Sequence, residues 1–268
     1  MLMAAVNGTD LAYVDEGPRE GIPIVFSHSL FFDRRMFNDH LSRFARDGYR
    51  VIAYDHRNQG ASAPAPRDQL DMDTLTDDAA ALLEHLELSR CHFVGNSMGG
   101  FIALRLAARR PDLLLSAVAL GSSAEEEHKL AEFSPLVEHL TQYGPADVLD
   151  TLMYIMFGDT TLRDQPELCA SWRSYMSRLP AGVGDSADGV IRRGRIVEEL
   201  AGCRVPVLAV AASEDHAYPP PISGANIAAA AACEHVTVEG AGHSVALEQV
   251  DIVAGHLERY FSRVGTTM

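Results

Sequence analysis

Short apolar runs recur along this chain, and most of them are continuous rather than alternating. Residues 22–27, 50–55, 91–96, 115–120, 205–211 and 234–239 all read as strands. A strand with water on one side alternates apolar and polar residues, whereas a continuously apolar strand needs cover on both faces. That requirement points to a parallel sheet between two layers of helices. The intervening stretches supply them. Residues 74–87 put Leu75, Ala79, Leu82, Leu83 and Leu86 on one face, with Thr74 and Asp77 as an N-terminal capping pair. Residues 98–110 form a second helix that Pro111 stops, and a last one near 249–264 carries Ile252, Val253, His256, Tyr260 and Phe261 at helical spacing. A hairpin over 4–14, turning at Asn7-Gly8, precedes them. The β-α-β-α order predicts an α/β fold with an open, doubly wound, mostly parallel sheet and right-handed crossovers.

One stretch breaks the rhythm. From about 123 to 200 no convincing buried strand occurs, and the segment holds many of the large side chains, among them Phe133, Tyr143, Met153, Tyr154, Phe157, Trp172 and Tyr175. It reads as a helical cap inserted into the sheet domain. The expected division is therefore a core of 1–122 and 201–268 with a cap of 123–200. A length of 268 residues suits one large domain with such an insertion.

Charge and cysteine usage narrow the partners. The net charge of −15 repels phosphate backbones and argues against nucleic acid. The longest apolar runs, 205–212 and 227–233, fall short of the ~18–20 residues that cross a bilayer. The first ten residues lack a basic segment followed by a long apolar one, so no secretory signal is expected. None of Cys91, Cys169, Cys203 and Cys233 is spaced as C-x-x-C, and a reducing cytosolic setting follows.

The chemistry concentrates in Gly95-Asn96-Ser97-Met98-Gly99, which lies between a strand and a helix. A serine on that sharp turn projects from the sheet at the positive end of the following helix. Side chains at the two flanking glycines would collide with neighbouring backbone. The Met98 amide is left facing any negative charge that develops beside Ser97. A dinucleotide-binding turn would need glycine where Ser97 stands, and no G-K-[ST] is present. Serine needs a base. Of the eleven histidines, His243 is the candidate, on the Gly240-Ala241-Gly242-His243-Ser244 loop after the last strand. A carboxylate should orient it. Asp215, just past the strand at 205–211, is the candidate, with its neighbour Glu214 the alternative.

The order Ser97, Asp215, His243, the Gly-x-Ser-x-Gly turn and the Asp55-His56-Arg57-Asn58-Gln59-Gly60-Ala61-Ser62 segment resemble the α/β-hydrolase superfamily along nearly the whole chain. The resemblance implies that the Leu30 amide joins that of Met98 as an oxyanion hole and that His28 braces its loop. His28-Ser29 replaces the family's common His-Gly, and a Ser-Leu pair there is similar to enol-lactonase-like members. The expectation is a serine hydrolase that cleaves a carboxylic ester or lactone of a small to medium apolar molecule, without metal or organic cofactor. Phe31, Met153, Tyr154, Phe157 and Trp172 are expected around the substrate. C–C bond hydrolysis, cofactor-free peroxidation and a ligand receptor without turnover are the alternatives.

Overall fold

The computed structural model describes residues 1–265. Its N-terminal hairpin pairs β1 (Leu2–Val6) with β2 (Thr9–Glu16). Asn7 and Gly8 take φ of 45° and 72°, the left-handed pair that a two-residue hairpin turn requires. The remaining strands are β3 (Pro23–Ser27), β4 (Arg50–Tyr54), β5 (Cys91–Asn96), β6 (Leu114–Leu120), β7 (Val207–Ala212) and β8 (Glu234–Val238). Among the described residues they form one sheet in the order β1-β2-β4-β3-β5-β6-β7-β8. Pairing is antiparallel at β1/β2 and β2/β4 and parallel from there on. All of β4 and β5 and most of β3 are buried, which is why those strands show no alternation.

Helices cover both faces. α1 (Asn38–Arg46) lies on one side with the long C-terminal helix Val250–Gly265, where Phe44 meets Phe261 at 5.9 Å. α2 (Met72–His85) and α3 (Met98–Arg109) cover the other. The cap of α2 is Asp71, not Thr74: its carboxylate accepts the amides of Asp73 and Thr74. The helix starts two residues earlier than expected because Met72 is also buried.

Between β6 and β7 the chain builds helices only: α4 (Leu130–Tyr143), α5 (Leu149–Met156), α6 (Asp159–Asp164), α7 (Pro166–Met176), α8 (Val183–Ile191) and α9 (Val197–Leu200). Asn58 Nδ2 donates to the Gly182 carbonyl and the Ser186 hydroxyl, fastening α8 to the loop after β4. Beyond β7 come α10 (Ala225–Ala231), α11 (Val245–Glu248) and α12, the Val250–Gly265 helix. Among the described residues no helix is long and apolar enough to cross a membrane.

The topology fixes where a site can form. From β3 the chain crosses to β4 on one side, and from β5 it crosses to β6 on the other. The loops leaving β3 and β5 diverge and open a crevice at the carboxyl edge, the usual ligand position in open α/β sheets.

Candidate active site

Ser97 stands directly after β5 at that crevice, with φ of 52° and ψ of −111°. A non-glycine residue held there is strained, and close packing maintains it. A Cβ on Gly95 would run into the Gly99 carbonyl, and one on Gly99 into the Ser27 carbonyl. The turn is therefore pressed between β3 and α3. Ser97 N–H donates to the Leu120 carbonyl at 2.8 Å, and its own carbonyl accepts from Ser122 Oγ at 3.0 Å.

The loop after β8 brings His243 to Ser97, with Nε2 2.7 Å from Oγ. His243 Nδ1 lies 3.0 and 3.1 Å from the two carboxylate oxygens of Asp215. A proton on Nδ1 donates to that carboxylate, which leaves the Nε2 lone pair for the serine hydroxyl. Asp215 Oδ1 also accepts the amides of Ala217 and Tyr218, both at 2.8 Å, so its orientation is set by backbone. Glu214 turns elsewhere: it accepts the amide and hydroxyl of Thr160, which hold its carboxyl below the usual range. All three groups of the Ser97–His243–Asp215 line are buried.

A second buried carboxylate holds the His243 loop. Glu248 Oε2 accepts the amides of Gly158 and Gly242 at 2.9 Å, and Oε1 accepts that of Ser244 at 3.0 Å. Burial pushes the Glu248 carboxyl up despite these donors. One side chain thus joins both neighbours of His243 to the junction of α5 and α6.

On the other side of Ser97 lies the loop 28–33. His28 Nε2 accepts the His56 amide at 3.1 Å, so its proton sits on Nδ1 and donates to the Ser29 carbonyl at 2.8 Å. Burial lowers the pKa of both His28 and His56, keeping the pair neutral. Arg34, just beyond, is tied to Asp55 through its amide at 2.7 Å and its guanidinium. Among the described residues, neither the Leu30 nor the Met98 amide has a protein acceptor. Both residues border Ser97 in sequence or on the cavity wall.

A cavity of about 60 Å³ opens over Ser97 and His243. Its walls are Leu30, Phe31, Ala217 and Tyr218 from strand-end loops and, from α4, α5 and α8, side chains such as Phe133, Leu140, Met156, Val190 and Ile191. Among the described residues no Lys, Arg, Asp or Glu lines it. Of the residues expected around a substrate, only Phe31 is on this wall. Phe157 and Trp172 instead pack on Phe32, at 6.0 and 4.7 Å between rings, beneath the helices. Met153 is buried off the wall, and Tyr154 is 54% exposed and stacked on His216. α4, α5 and α8 thus all contribute to the wall, α5 through Ile155 and Met156.

Sequence reasoning also passed over a buried polar clamp. Arg193 Nη1 lies 2.9 Å from Glu127 Oε2, and the Tyr218 hydroxyl donates to the same oxygen at 2.6 Å. The guanidinium stacks on Phe101 at 4.2 Å and on Tyr218 at 5.1 Å, and the Tyr218 ring packs 5.3 Å from the His243 ring. Burial would raise the Glu127 carboxyl; Arg193 and Tyr218 outweigh it and hold it low. A lone Arg and a lone Glu 66 residues apart carry no sequence signal, because both types are ordinarily solvated. Among the described residues no group of His, Cys, Asp and Glu is arranged as a metal site.

Residues 22–250 match the family model described as alpha/beta hydrolase fold. A Pseudomonas syringae protein provisionally named carbamate hydrolase is 29% identical over 204 residues, covering 73% of this chain and 76% of its own. The bifunctional esterase/perhydrolase of Acinetobacter calcoaceticus is 27% identical over 239 residues, 81% of this chain and 83% of its own. The crystal structure of the enol-lactonase from Burkholderia xenovorans superposes with a TM-score of 0.90 at 26% identity, over 97% of this chain and 100% of that one.

Proposed function

The chain belongs to the alpha/beta-hydrolase family, and from that premise we propose that it is a serine hydrolase cleaving an ester or lactone of a small to medium apolar acyl group through an acyl-enzyme. The observation that carries this reading is the continuous hydrogen-bonded line from Ser97 through His243 to Asp215 at the floor of an uncharged cavity. Ser97 Oγ attacks the carbonyl carbon while His243 Nε2 takes its proton, and Asp215 stabilises the imidazolium. The Leu30 and Met98 amides receive the negative oxygen of the tetrahedral intermediate. Loss of one such donor typically costs ~10²–10³ in rate. The intermediate collapses, His243 hands its proton to the leaving alkoxide, and a water activated by the same imidazole releases the acid and restores Ser97.

The helices of 123–200 act in this reading as the cap that sizes the acyl group. Apolar walls favour a neutral hydrocarbon chain, and a substrate carboxylate would be buried there without a partner. The esterase and enol-lactonase names among the similar proteins support this reading, and the carbamate hydrolase and perhydrolase names mark the chemistries to be tested beside it.

A p-nitrophenyl ester series, a panel of lactones and an organophosphonate probe test the reading. Multiple turnovers with stoichiometric labelling of Ser97 are expected. Labelling followed by a single slow turnover would instead indicate a receptor, and absence of labelling would overturn the nucleophile. Added hydrogen peroxide, with peracid as readout, separates perhydrolysis from hydrolysis.

A further inference from the structure

Asn96 is fully buried at the end of a strand whose other side chains are mostly apolar. A buried amide is costly unless each of its polar atoms is paired. Here each is. Nδ2 donates to Ser29 Oγ at 2.9 Å and to the His243 carbonyl at 2.8 Å, and Oδ1 lies 3.3 Å from the Ala246 amide. Ser29 Oγ in turn donates to the Asn96 carbonyl at 3.2 Å, closing a ring between the two residues.

The partners of this one side chain belong to two segments, and Asn96 stands on a third. Ser29 precedes Leu30, His243 carries the imidazole, and Asn96 itself precedes Ser97. Only an amide of this length offers two donors and an acceptor; a carboxylate would face the His243 carbonyl and the Ser29 oxygen with none to spare for donation. The arrangement also gives the Ser29 hydroxyl a use: it joins the 28–30 loop to the strand that ends at Asn96.

We infer that Asn96 is a positioning residue, acting through Ser29 and the His243 carbonyl to set the spacing between the Leu30 amide, the Met98 amide and the imidazole around Ser97. The inference rests on the proposed hydrolase reading for its kinetic consequence, though not for its structural one.

The test uses the full chain with Ser29→Ala, Asn96→Ala and the double substitution. Misplacing reacting groups by about 1 Å costs on the order of 10²-fold. We expect kcat on a p-nitrophenyl ester to fall about 10-fold for Ser29→Ala and about 100-fold for Asn96→Ala, with KM within about twofold. The double variant should lose less than the product of the two single losses, because both single substitutions remove the Asn96 Nδ2–Ser29 Oγ bond. Backbone hydrogen exchange supplies a readout independent of turnover. Ser29→Ala should speed exchange in peptides covering 28–32, and Asn96→Ala in those and in 243–247 as well. Unchanged kcat in the well-folded Ser29→Ala variant, rate losses that multiply in the double variant, or exchange that rises evenly along the chain would each overturn the inference. A wild-type protein that neither turns over esters nor takes the phosphonate would remove the hydrolase reading, and the exchange pattern would still decide the role of Asn96.

Discussion

The floor and the walls of the cavity are built on opposite principles. On the floor, Ser97, Asp215 and His243 stand at strand ends, and each is held by directional bonds to backbone or to one another. The walls from α4 and α8 are Phe133, Leu140, Val190 and Ile191, held by packing. Hydrogen bonds fix angle as well as distance, so the floor tolerates few substitutions. Apolar packing fixes volume and accepts many sequences of similar size. Reaction chemistry and substrate choice are thereby separable: one can drift while the other stays.

Substitutions on the two sides should expose this contrast. The largest effect belongs to the floor. Ser97→Ala and His243→Ala should each lower kcat by about 10⁴–10⁶, and the pair together hardly more, since they act as a unit. Steady-state kinetics on a p-nitrophenyl ester reads both, and a double variant slower by the product of the two would break the picture. Next comes the clamp where floor and wall meet. Arg193→Met leaves the buried Glu127 carboxylate without its cation, with the Tyr218 hydroxyl and the Lys129 amide still donating to it, which should cost about 3 kcal/mol in urea unfolding. Adding Glu127→Leu should recover most of it.

A third prediction lies under the floor and turns on pH. His40 on α1 is fully buried beside Phe26 and Phe37, its ring nitrogens have no hydrogen-bond partner among the described residues, and burial lowers its pKa to about 4. The folded protein thus refuses a proton that the unfolded chain accepts below its ordinary value of 6.5. Stability is fully present above 6.5 and is shed as pH falls toward about 4, by roughly 3 kcal/mol over that window. His40→Phe should flatten this part of the Tm-against-pH curve. An unchanged slope would show that other groups carry it. The smallest effect belongs to the wall. Val190→Ala should raise kcat/KM for an acyl chain one or two carbons longer by about 10-fold and leave the shortest ester unchanged. Equal changes across the series would place Val190 outside the acyl path.

The same contrast explains what could be read from the sequence. The strands announced themselves because burial on both faces removes alternation; β5 begins and ends as expected at Cys91 and Asn96. The Ser97 turn was legible because only glycine fits at positions 95 and 99. The wall was not. Met153, Phe157 and Trp172 have the composition of a binding surface, yet Phe157 and Trp172 pack on Phe32 and none of the three is on the wall, where Phe133, Leu140, Val190 and Ile191 of α4 and α8 stand with Met156 of α5. Periodicity tells which face of a helix is apolar without telling what it meets. Asn96 and Glu248 went unread for a related reason: their role lies in bonds to distant loops, and neither residue type marks that by itself.

The carboxylate of Glu248 has a mechanical consequence. By gripping Gly158 together with both neighbours of His243, it makes the α5–α6 corner and the imidazole loop move as one body. Lifting that corner would pull the His243 imidazole away from Ser97. α8 is likewise moored through Asn58. Among the described residues α4 makes no side-chain hydrogen bond outside itself; close packing holds it instead, with Thr141 pressed on Gly184 of α8, so that α4 is tied to the moored frame through α8.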